Sequence, residues 1–139
     1  MRFFLAILVV LFVSPALAND DEMNGVPKKY WDMSNPLEPT DSNLGDGKAL
    51  FDGFCVRCHG PQGMGDGPDG KQFNPPPAPL GYTINMPVSS DPFLFWSIHE
   101  GGHEFGTAMP DFQRRFEPVE IWKVILYLRS GFLGSGKDE

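Results

Sequence analysis

The residues with the clearest chemistry are Cys55, Cys58 and His59, which lie in the sequence Cys-Val-Arg-Cys-His. Two thiols three positions apart, followed directly by an imidazole, are the attachment signature of a c-type haem. Each thiol can add across one vinyl group of the haem to form a thioether, and the adjacent imidazole is then held under the ring, where it can bind the iron. The chain has two cysteines, and the motif uses both. The motif therefore predicts a covalently attached haem c with His59 as an axial ligand.

Two other uses of these cysteines predict different surroundings. A redox-active Cys-x-x-Cys pair would be expected within a thioredoxin-like βαβ pattern, and no such pattern is visible. A zinc site needs four ligands, and His99 and His103 are the only histidines outside the motif. Spacing alone does not exclude a Cys2His2 set, although it would leave His59 without a role and the gap to the histidine pair is far longer than in a zinc finger.

The N-terminal residues have the features of a secretory signal peptide. Met1-Arg2 is a short positive region, residues 3–13 are uninterruptedly apolar, and Ala16-Leu17-Ala18 is a cleavage site of the A-x-A type. The apolar run is too short to span a bilayer, and no later segment is long and apolar enough to do so. We therefore expect residues 1–18 to be removed and the mature chain to be periplasmic or otherwise exported. The alternative is a retained N-terminal anchor.

The mature chain is acidic. Removal of residues 1–18 would leave 121 residues, which is enough for one domain and an arm. The whole chain has a formal net charge of −7, and the loss of Arg2 with the signal peptide would make it −8. This balance argues against binding to nucleic acid or to an anionic membrane surface. It favours partners with basic docking surfaces.

The first part of the mature chain divides into an arm and a helix. Residues 19–41 are acidic and proline-containing and have no apolar period, so we predict an irregular arm, whose Tyr30 and Trp31 pack onto the domain or mark a docking point. Packing onto the domain is the preferred interpretation. An apolar stripe with helical spacing then begins, capped by Ser42 or Asn43 and ending near Val56. Its members are Gly47, Leu50, Phe51 and Phe54.

A second stripe of the same spacing lies at the other end of the predicted domain, residues 42–131. Pro118 suits the first helical position, Glu120 can act as a capping acid, and a glycine can close the helix at position 131. Two stripes of similar length would bury each other, and a crossing at Gly47 would explain a glycine that weakens its own helix. Residues 132–139 are predicted to be a flexible tail. The second stripe consists of Ile121, Val124, Ile125 and Leu128.

The region between these helices is predicted to be mostly loop. Residues 60–87 are rich in glycine and proline and are expected to contain no regular element, which a bound haem would explain, because loops can wrap a large planar ligand. Ser90 or Asp91 then caps a short aromatic middle helix, which Gly101-Gly102 ends. No strand pattern and no internal repeat are visible, so the predicted fold class is all-α.

Three blocks of the sequence follow one another in a recognisable order. Gly47 and Phe51 precede the cysteine motif at helical spacing, Ala-Met-Pro-Asp-Phe occupies residues 108–112, and an apolar helix covers residues 120–130. In this order the blocks resemble the first helix and haem site, the sixth-ligand loop and the C-terminal helix of class I monohaem cytochromes c of the bacterial periplasmic type. The resemblance covers about residues 44–131. It implies a cytochrome c fold with crossing N- and C-terminal helices, one haem per chain and electron transfer.

The resemblance also implies surroundings for the haem. In this family a proline carbonyl after the haem motif accepts the N–H of the proximal histidine, and Pro75, Pro76 or Pro77 could do so for His59. We expect aromatic side chains to bury the ring, which lowers the local dielectric and disfavours the extra charge of ferric iron. The candidates for this wall are Phe51, Phe54, Phe95, Trp96 and Phe112.

Met109 is the expected sixth ligand, because it follows the aromatic middle helix, as the methionine of the family does. Met86 also precedes a proline, but it lies before that helix. Met64 is too close in sequence to the proximal histidine to reach the opposite face of the haem easily. His99 and His103 are the remaining candidates.

Together these expectations describe an electron carrier and not an enzyme. The predicted function is that of a secreted monohaem c-type cytochrome that passes single electrons between redox protein partners through a haem bound by His59 and Met109. One alternative is an electron-transfer subunit of a larger periplasmic oxidoreductase complex, with the arm as its tether. A less favoured alternative is a haem enzyme or gas sensor with an open sixth site.

Overall fold

The all-α prediction is confirmed over the part of the chain that the structure describes. The structure is a computed structural model, and it describes residues 25–131. The predicted signal peptide at residues 1–18, the first part of the arm and the predicted tail at residues 132–139 lie outside this range. Within it the chain forms five α-helices and three 3₁₀ turns, with no strand. No helix in the described range is long and apolar enough to cross a membrane.

The first helix, α1, covers Asp41–Phe54 and begins earlier than predicted. Its cap is Thr40, whose hydroxyl accepts a hydrogen bond from the N–H of Asn43 at 3.2 Å. The prediction of Ser42 or Asn43 as the cap is therefore wrong, because the helix starts as soon as the proline-containing arm ends and both residues fall inside its first turn. Helix α2, Val56–His59, follows directly and contains most of the cysteine motif.

The last helix, α5, covers Pro118–Gly131 and matches its prediction. The carboxylate of Glu120 accepts a hydrogen bond from the N–H of Glu117 at 2.7 Å, which satisfies a free donor at the helix start. All four residues of the predicted stripe are buried, with exposed fractions of 3% or less. Since neither end of the stripe reaches solvent, this helix forms the centre of the core.

Helices α1 and α5 cross at Gly47, as predicted. A Cβ atom at this position would lie 2.1 Å from the carbonyl oxygen of Lys123 and 3.0 Å from the Cβ of Tyr127, so glycine is required by the close approach of the two backbones. Near the crossing, the ring of Phe51 is fully buried and lies 5.6 Å from the ring of Tyr127. The crossing therefore joins the two ends of the domain through their apolar faces.

The middle helix, α4, covers Asp91–Glu100 and is also as predicted. The Ser90 hydroxyl accepts a hydrogen bond from the N–H of Phe93, and the helix ends at Gly101, whose φ of +79° favours glycine. The ring of Phe95 packs against that of Trp122 in α5, with centroids 4.6 Å apart. The aromatic residues of α4 thus attach it to α5.

A charged pair fixes the relative position of α4 and α5. The Arg129 guanidinium donates to Asp91 at 2.7 Å and to the carbonyl of Ser89 at 2.8 Å. The other carboxylate oxygen of Asp91 accepts the backbone N–H of Asn35 in the arm at 2.9 Å. One half-buried carboxylate therefore binds the arm, the start of α4 and the last turn of α5.

The glycine- and proline-rich loop contains two short regular elements, contrary to the prediction. A 3₁₀ turn covers Gly70–Gln72, and α3 covers Leu80–Thr83. Both are single turns, and α3 begins immediately after Pro79, at the point where the dense run of prolines ends. A stretch of four residues is too short for apolar periodicity to show in the sequence.

The described part of the arm packs onto the domain. It contains one 3₁₀ turn, Lys28–Tyr30, and no other regular element. Tyr30 is 3% exposed, and Trp31 packs against the core while its indole donates to the carbonyl of Val26 at 2.6 Å. Asn35 donates to the carbonyl of Trp122 at 2.9 Å. The preferred interpretation of Tyr30 and Trp31 as packing residues is confirmed.

We expect the substitution Gly47→Ala to lower the free energy of unfolding by about 2 kcal/mol, because the added methyl forces apart two packed backbones. The matched control is Gly45→Ala in the same helix, where a Cβ atom meets nothing within 4 Å. That change should raise stability slightly, by up to ~1 kcal/mol, because alanine favours helix more than glycine does. Urea denaturation of both variants measures the difference, and equal effects of the two substitutions would contradict the crossing.

The arm also predicts a dependence of stability on pH through Glu100. The pKa of this carboxyl is lowered to about 2, first by its hydrogen bond from Lys29 and then by that from Tyr30. A carboxyl with a depressed pKa stabilises the fold above its ordinary pKa of 4.5, and the contribution is lost as the pH falls toward 2. We expect Glu100→Gln to cost about 2 kcal/mol at neutral pH, a value discounted because Lys29 is largely exposed.

Melting temperatures measured between pH 2 and 7 test this expectation. The difference between the unmodified chain and Glu100→Gln should be greatest at neutral pH and should vanish near pH 2. The substitution Glu104→Gln, at an exposed residue four positions further on, is the control and should leave the profile unchanged. A difference that is constant over the whole pH range would show that the Glu100 charge does not contribute.

Candidate functional site

The cysteine motif lies at the junction of α1 and α2. Cys55 follows the last residue of α1, and its N–H donates to the carbonyl of Phe51 at 2.8 Å. Its own carbonyl accepts the N–H groups of Cys58 and His59 at 3.0 and 2.8 Å. Residues three and four positions apart on a helical turn share a face. The fold thus places two thiols and an imidazole on one side of a short, hydrogen-bonded segment.

The loop after the motif folds back over α2 and satisfies its carbonyl groups. The N–H of Gly65 donates to the backbone carbonyl of His59 at 2.8 Å. The N–H of Gly67 donates to the carbonyl of Cys58 at 3.2 Å, and the N–H of Asp69 donates to the carbonyl of Arg57 at 2.9 Å. A Cβ atom on Gly67 would lie 2.5 Å from the carbonyl oxygen of Arg57, so the close contact requires glycine there. The glycines of this loop therefore hold the motif in place rather than only allowing the chain to turn.

The carbonyl partner of His59 is Ala78. The imidazole Nδ1 lies 3.1 Å from the carbonyl oxygen of Ala78, so the prediction of Pro75, Pro76 or Pro77 is wrong. The carbonyl of Pro77 instead faces Gly65, where a Cβ atom would lie 2.4 Å from it, and the next carbonyl along the chain faces the imidazole. Because a carbonyl only accepts hydrogen bonds, Nδ1 is the protonated nitrogen, and the lone pair on Nε2 is left to bind a metal.

Burial shifts the pKa of both kinds of group in the motif, the imidazole and the thiol. It lowers the pKa of the His59 imidazole, an effect that the hydrogen bond to Ala78 opposes, and so favours the neutral ring that binds iron. Burial, with a smaller effect of nearby Cys58, raises the pKa of the Cys55 thiol to about 12. Neither cysteine forms a disulfide. Burial therefore disfavours the charged form of both groups.

The structure separates the candidates for the sixth ligand by their packing. Met109 is half-buried and packs against the core, and its carbonyl accepts the N–H of Gly102 at 2.9 Å. By contrast, Met86 is 51% exposed and Met64 is 38% exposed. Of the three methionines, Met109 is thus the one whose backbone and side chain are both held by the domain.

The two histidine candidates have different surroundings. His99 is half-buried in α4, where its Nδ1 lies 3.1 Å from the Tyr30 hydroxyl oxygen. His103 is exposed in the 3₁₀ turn that ends at Phe105. Within residues 25–131, no three His, Cys, Asp or Glu side chains lie together as a metal site would require. The structure contradicts the zinc alternative, and the absence of strands from the same residues contradicts the thioredoxin-like one.

The five aromatic residues that are predicted to bury the haem are not uniformly buried. Four of them are 6% exposed or less, while Phe54 is 36% exposed. The ring of Phe54, the residue before Cys55, makes edge-to-face contacts with Phe112 at 6.4 Å and Phe116 at 5.0 Å. Sequence reasoning missed Phe116, although its spacing of four from Phe112 was a usable signal.

The donor set fits a covalently bound haem. Two thiols share one helical face, the Nε2 lone pair of His59 is free to bind iron, and an aromatic cluster begins at the residue before Cys55. These are the groups that thioether attachment, axial ligation and an apolar haem face need. The arrangement can therefore hold a haem c.

Comparison with known proteins agrees with this arrangement. Among solved structures, a chain of the reducing HAO-like protein complex of Kuenenia stuttgartiensis is similar, with 26% sequence identity and a TM-score of 0.56. The similarity covers 68% of this chain and 46% of that chain, so this chain spans less than half of its length. A search of curated proteins gave no match.

The sequence family described as cytochrome c oxidase, cbb3-type, subunit III matches residues 42–128. The match includes the cysteine motif, the Met109 loop and most of α5, which confirms the resemblance to class I cytochromes c and the predicted cytochrome c fold. A domain of this kind implies a bound haem c and a role in electron transfer. The chain belongs to this family of monohaem c-type cytochrome domains.

Proposed function

We propose that this chain is an exported electron carrier with one haem c. Cys55 and Cys58 would hold the haem through two thioethers, and His59 and Met109 would bind its iron. The haem supplies reversible one-electron exchange at the iron. The role of the protein is to keep both ligands fixed, to shield the iron and to present a site at which partners can exchange electrons.

The hydrogen bond between His59 and Ala78 is the observation that carries this proposal. It orients the imidazole, selects the tautomer that leaves Nε2 free, and increases the basicity of the ring. A histidine whose position is set by a backbone carbonyl would keep the same geometry in both oxidation states of the iron. Little reorganisation is what fast single-electron exchange requires.

Met109 is the proposed second ligand because its loop is anchored by Gly102 and it packs against the core. A thioether stabilises ferrous iron more than a second imidazole does, so this choice predicts a comparatively high reduction potential. It also leaves no position open to oxygen or peroxide. The proposal is therefore electron transfer, and not an enzyme or gas sensor with an open sixth site.

The partners are proposed to be redox proteins with basic docking surfaces. The support is the acidic character of the chain, with 18 Asp and Glu against 11 Lys and Arg, since complementary charge speeds encounters between electron-transfer proteins. Their interfaces are small and transient. The proposed point of transfer is the haem edge that the thioethers of Cys55 and Cys58 would hold. Export is proposed from the signal-peptide features of residues 1–18.

A second candidate function is that of a subunit in an oxidoreductase complex. It is favoured by the structural similarity to a chain of the reducing HAO-like protein complex. The predicted use of the arm as a tether finds no support in residues 25–40, because Tyr30 is buried against its own domain and Asn35 is bonded to α4 and α5. A complex would therefore use another surface of the domain.

We expect the ferric protein to show a low-spin spectrum with the weak Fe(III)–Met charge-transfer band, and Met109→Ala to abolish that band. The same variant should become high-spin and bind carbon monoxide readily when reduced, because a coordination position is opened. Met86→Ala is the matched control and should retain the band. Loss of the band in Met86→Ala with retention in Met109→Ala would assign the ligand to Met86 instead.

Native mass separates a free carrier from a subunit. We expect the haem-containing protein, purified from its native source without denaturant, to elute from a sizing column with the mass of one mature chain. Co-elution with other polypeptides at a constant ratio through two further columns would instead establish the subunit role. The spectrum of Met109→Ala would be unaffected by this outcome, so the two parts of the proposal are tested separately.

A further inference from the structure

The loop that carries Met109 is bonded to the C-terminal end of α4. The N–H of Gly102 donates to the Met109 carbonyl at 2.9 Å, and the N–H of Gln113 donates to the carbonyl of His99 at 3.0 Å. A Cβ atom on Gly101 would lie 2.9 Å from the carbonyl oxygen of Met109, so the two backbones are in direct contact. The position of Met109 therefore depends on the position of the last residues of α4.

The last residue of α4 is Glu100, and its charge is unfavourable there. A helix C-terminus carries partial negative charge, so a carboxylate at that end needs compensation. The side chains of Lys29 and Tyr30 both donate to one oxygen of Glu100 at 2.5 Å, and Trp96 donates to the other at 3.0 Å. Two of these three donors come from the arm, 71 and 70 residues earlier. The arm is thus what stabilises this helix end.

The same tyrosine fixes the ring of His99. Its oxygen lies 3.1 Å from Nδ1 of His99. Because the single hydroxyl proton of Tyr30 is donated to Glu100, the oxygen accepts from the imidazole. The His99 ring also stacks on Phe95, with centroids 5.7 Å apart and planes 19° apart. The ring of His99, a residue whose carbonyl bonds to the Met109 loop, is in this way held against its own helix.

We infer that Tyr30 and Lys29 are positioning residues for Met109. They fix Glu100 and His99, and through these the end of α4 to which the Met109 loop is bonded. The inference rests on the proposed function, since it takes Met109 as the iron ligand. The Tyr30 hydroxyl is the more important of the two groups, because it is buried and its hydrogen bond is to a charged acceptor, whereas Lys29 is largely exposed.

The test compares Tyr30→Phe with a control variant in the same arm. Imidazole is the probe, because it competes with a methionine ligand for ferric haem. Tyr30→Phe should bind imidazole about tenfold more tightly than the unmodified protein, which is the effect expected from one lost hydrogen bond to a charged group. The amide of Gly102 should also exchange its hydrogen faster.

The control is Asn35→Ala, which removes the side-chain bond of the arm to the Trp122 carbonyl at a distance from this helix end. It should lower the melting temperature while leaving the imidazole affinity and the Gly102 exchange rate within about twofold of the unmodified protein. If the arm acted only by stabilising the fold, both variants would change the imidazole affinity and the Gly102 exchange rate by similar amounts. If Tyr30→Phe does not fold, Glu100→Gln keeps the side-chain size and should shift both readouts in the same direction.

The possible failures are distinguishable. Unchanged imidazole affinity and Gly102 exchange in Tyr30→Phe, with the methionine band present in the unmodified protein, would overturn the positioning role and leave Met109 as the ligand. Persistence of that band in Met109→Ala would overturn the ligand assignment, and this inference with it. Faster Gly102 exchange in Tyr30→Phe with no change in imidazole affinity would also overturn it, because the arm would then hold the helix end without holding the ligand.

Discussion

The close crossing of α1 and α5 at Gly47 is the contact on which the rest of the structure depends. Helix α1 leads directly into Cys55, so the angle and depth at which it meets α5 set where the two thiols lie. Helix α5 in turn carries Trp122 and Arg129, which attach α4 through Phe95 and Asp91. The absence of a side chain at Gly47 therefore determines the relative positions of the helices that support both sides of the proposed iron site.

The two sides of that site are supported by different physical means. On the His59 side, the support comes from backbone groups. Loop amides donate to the carbonyls of α2, and the Ala78 carbonyl orients the imidazole. On the Met109 side, side chains contribute as well, since the helix end that supports the loop is held by charged and aromatic groups. Substitutions can therefore loosen the second side more easily than the first, because backbone hydrogen bonds persist when side chains change.

Much of the fold was predictable because its signals are local. The cysteine motif has a fixed spacing, Pro118 and Ser90 mark helix starts, and Gly47 in an apolar stripe indicates a close helix crossing. The errors arose where the outcome depends on distant geometry or very short elements. Three prolines precede Ala78, and only the path of the loop around Gly65 decides which carbonyl faces His59.

Interactions between the arm and α4 were beyond sequence reasoning for the same reason. Tyr30 and Glu100 carry no pattern that relates them, since polar pairs joined across the fold need no fixed spacing. The aromatic pair Tyr30-Trp31 indicated packing but not its target. Met109 was predicted from its place after the middle helix. Its anchoring to Gly102 depends on the positive φ of Gly101, which the glycine pair only suggested.

The long sequence separation of these contacts has a consequence for folding kinetics. Asn35 bonds to a residue 87 positions away, and Asp46 pairs with a lysine 77 positions away. Contacts between distant residues slow folding, because the entropy of closing large loops is lost before the contacts form. Helix α1, which leads into Cys55, cannot pack at Gly47 until α5 has formed. Both thiols are accessible before this packing forms, so the proposed thioether formation can precede their burial.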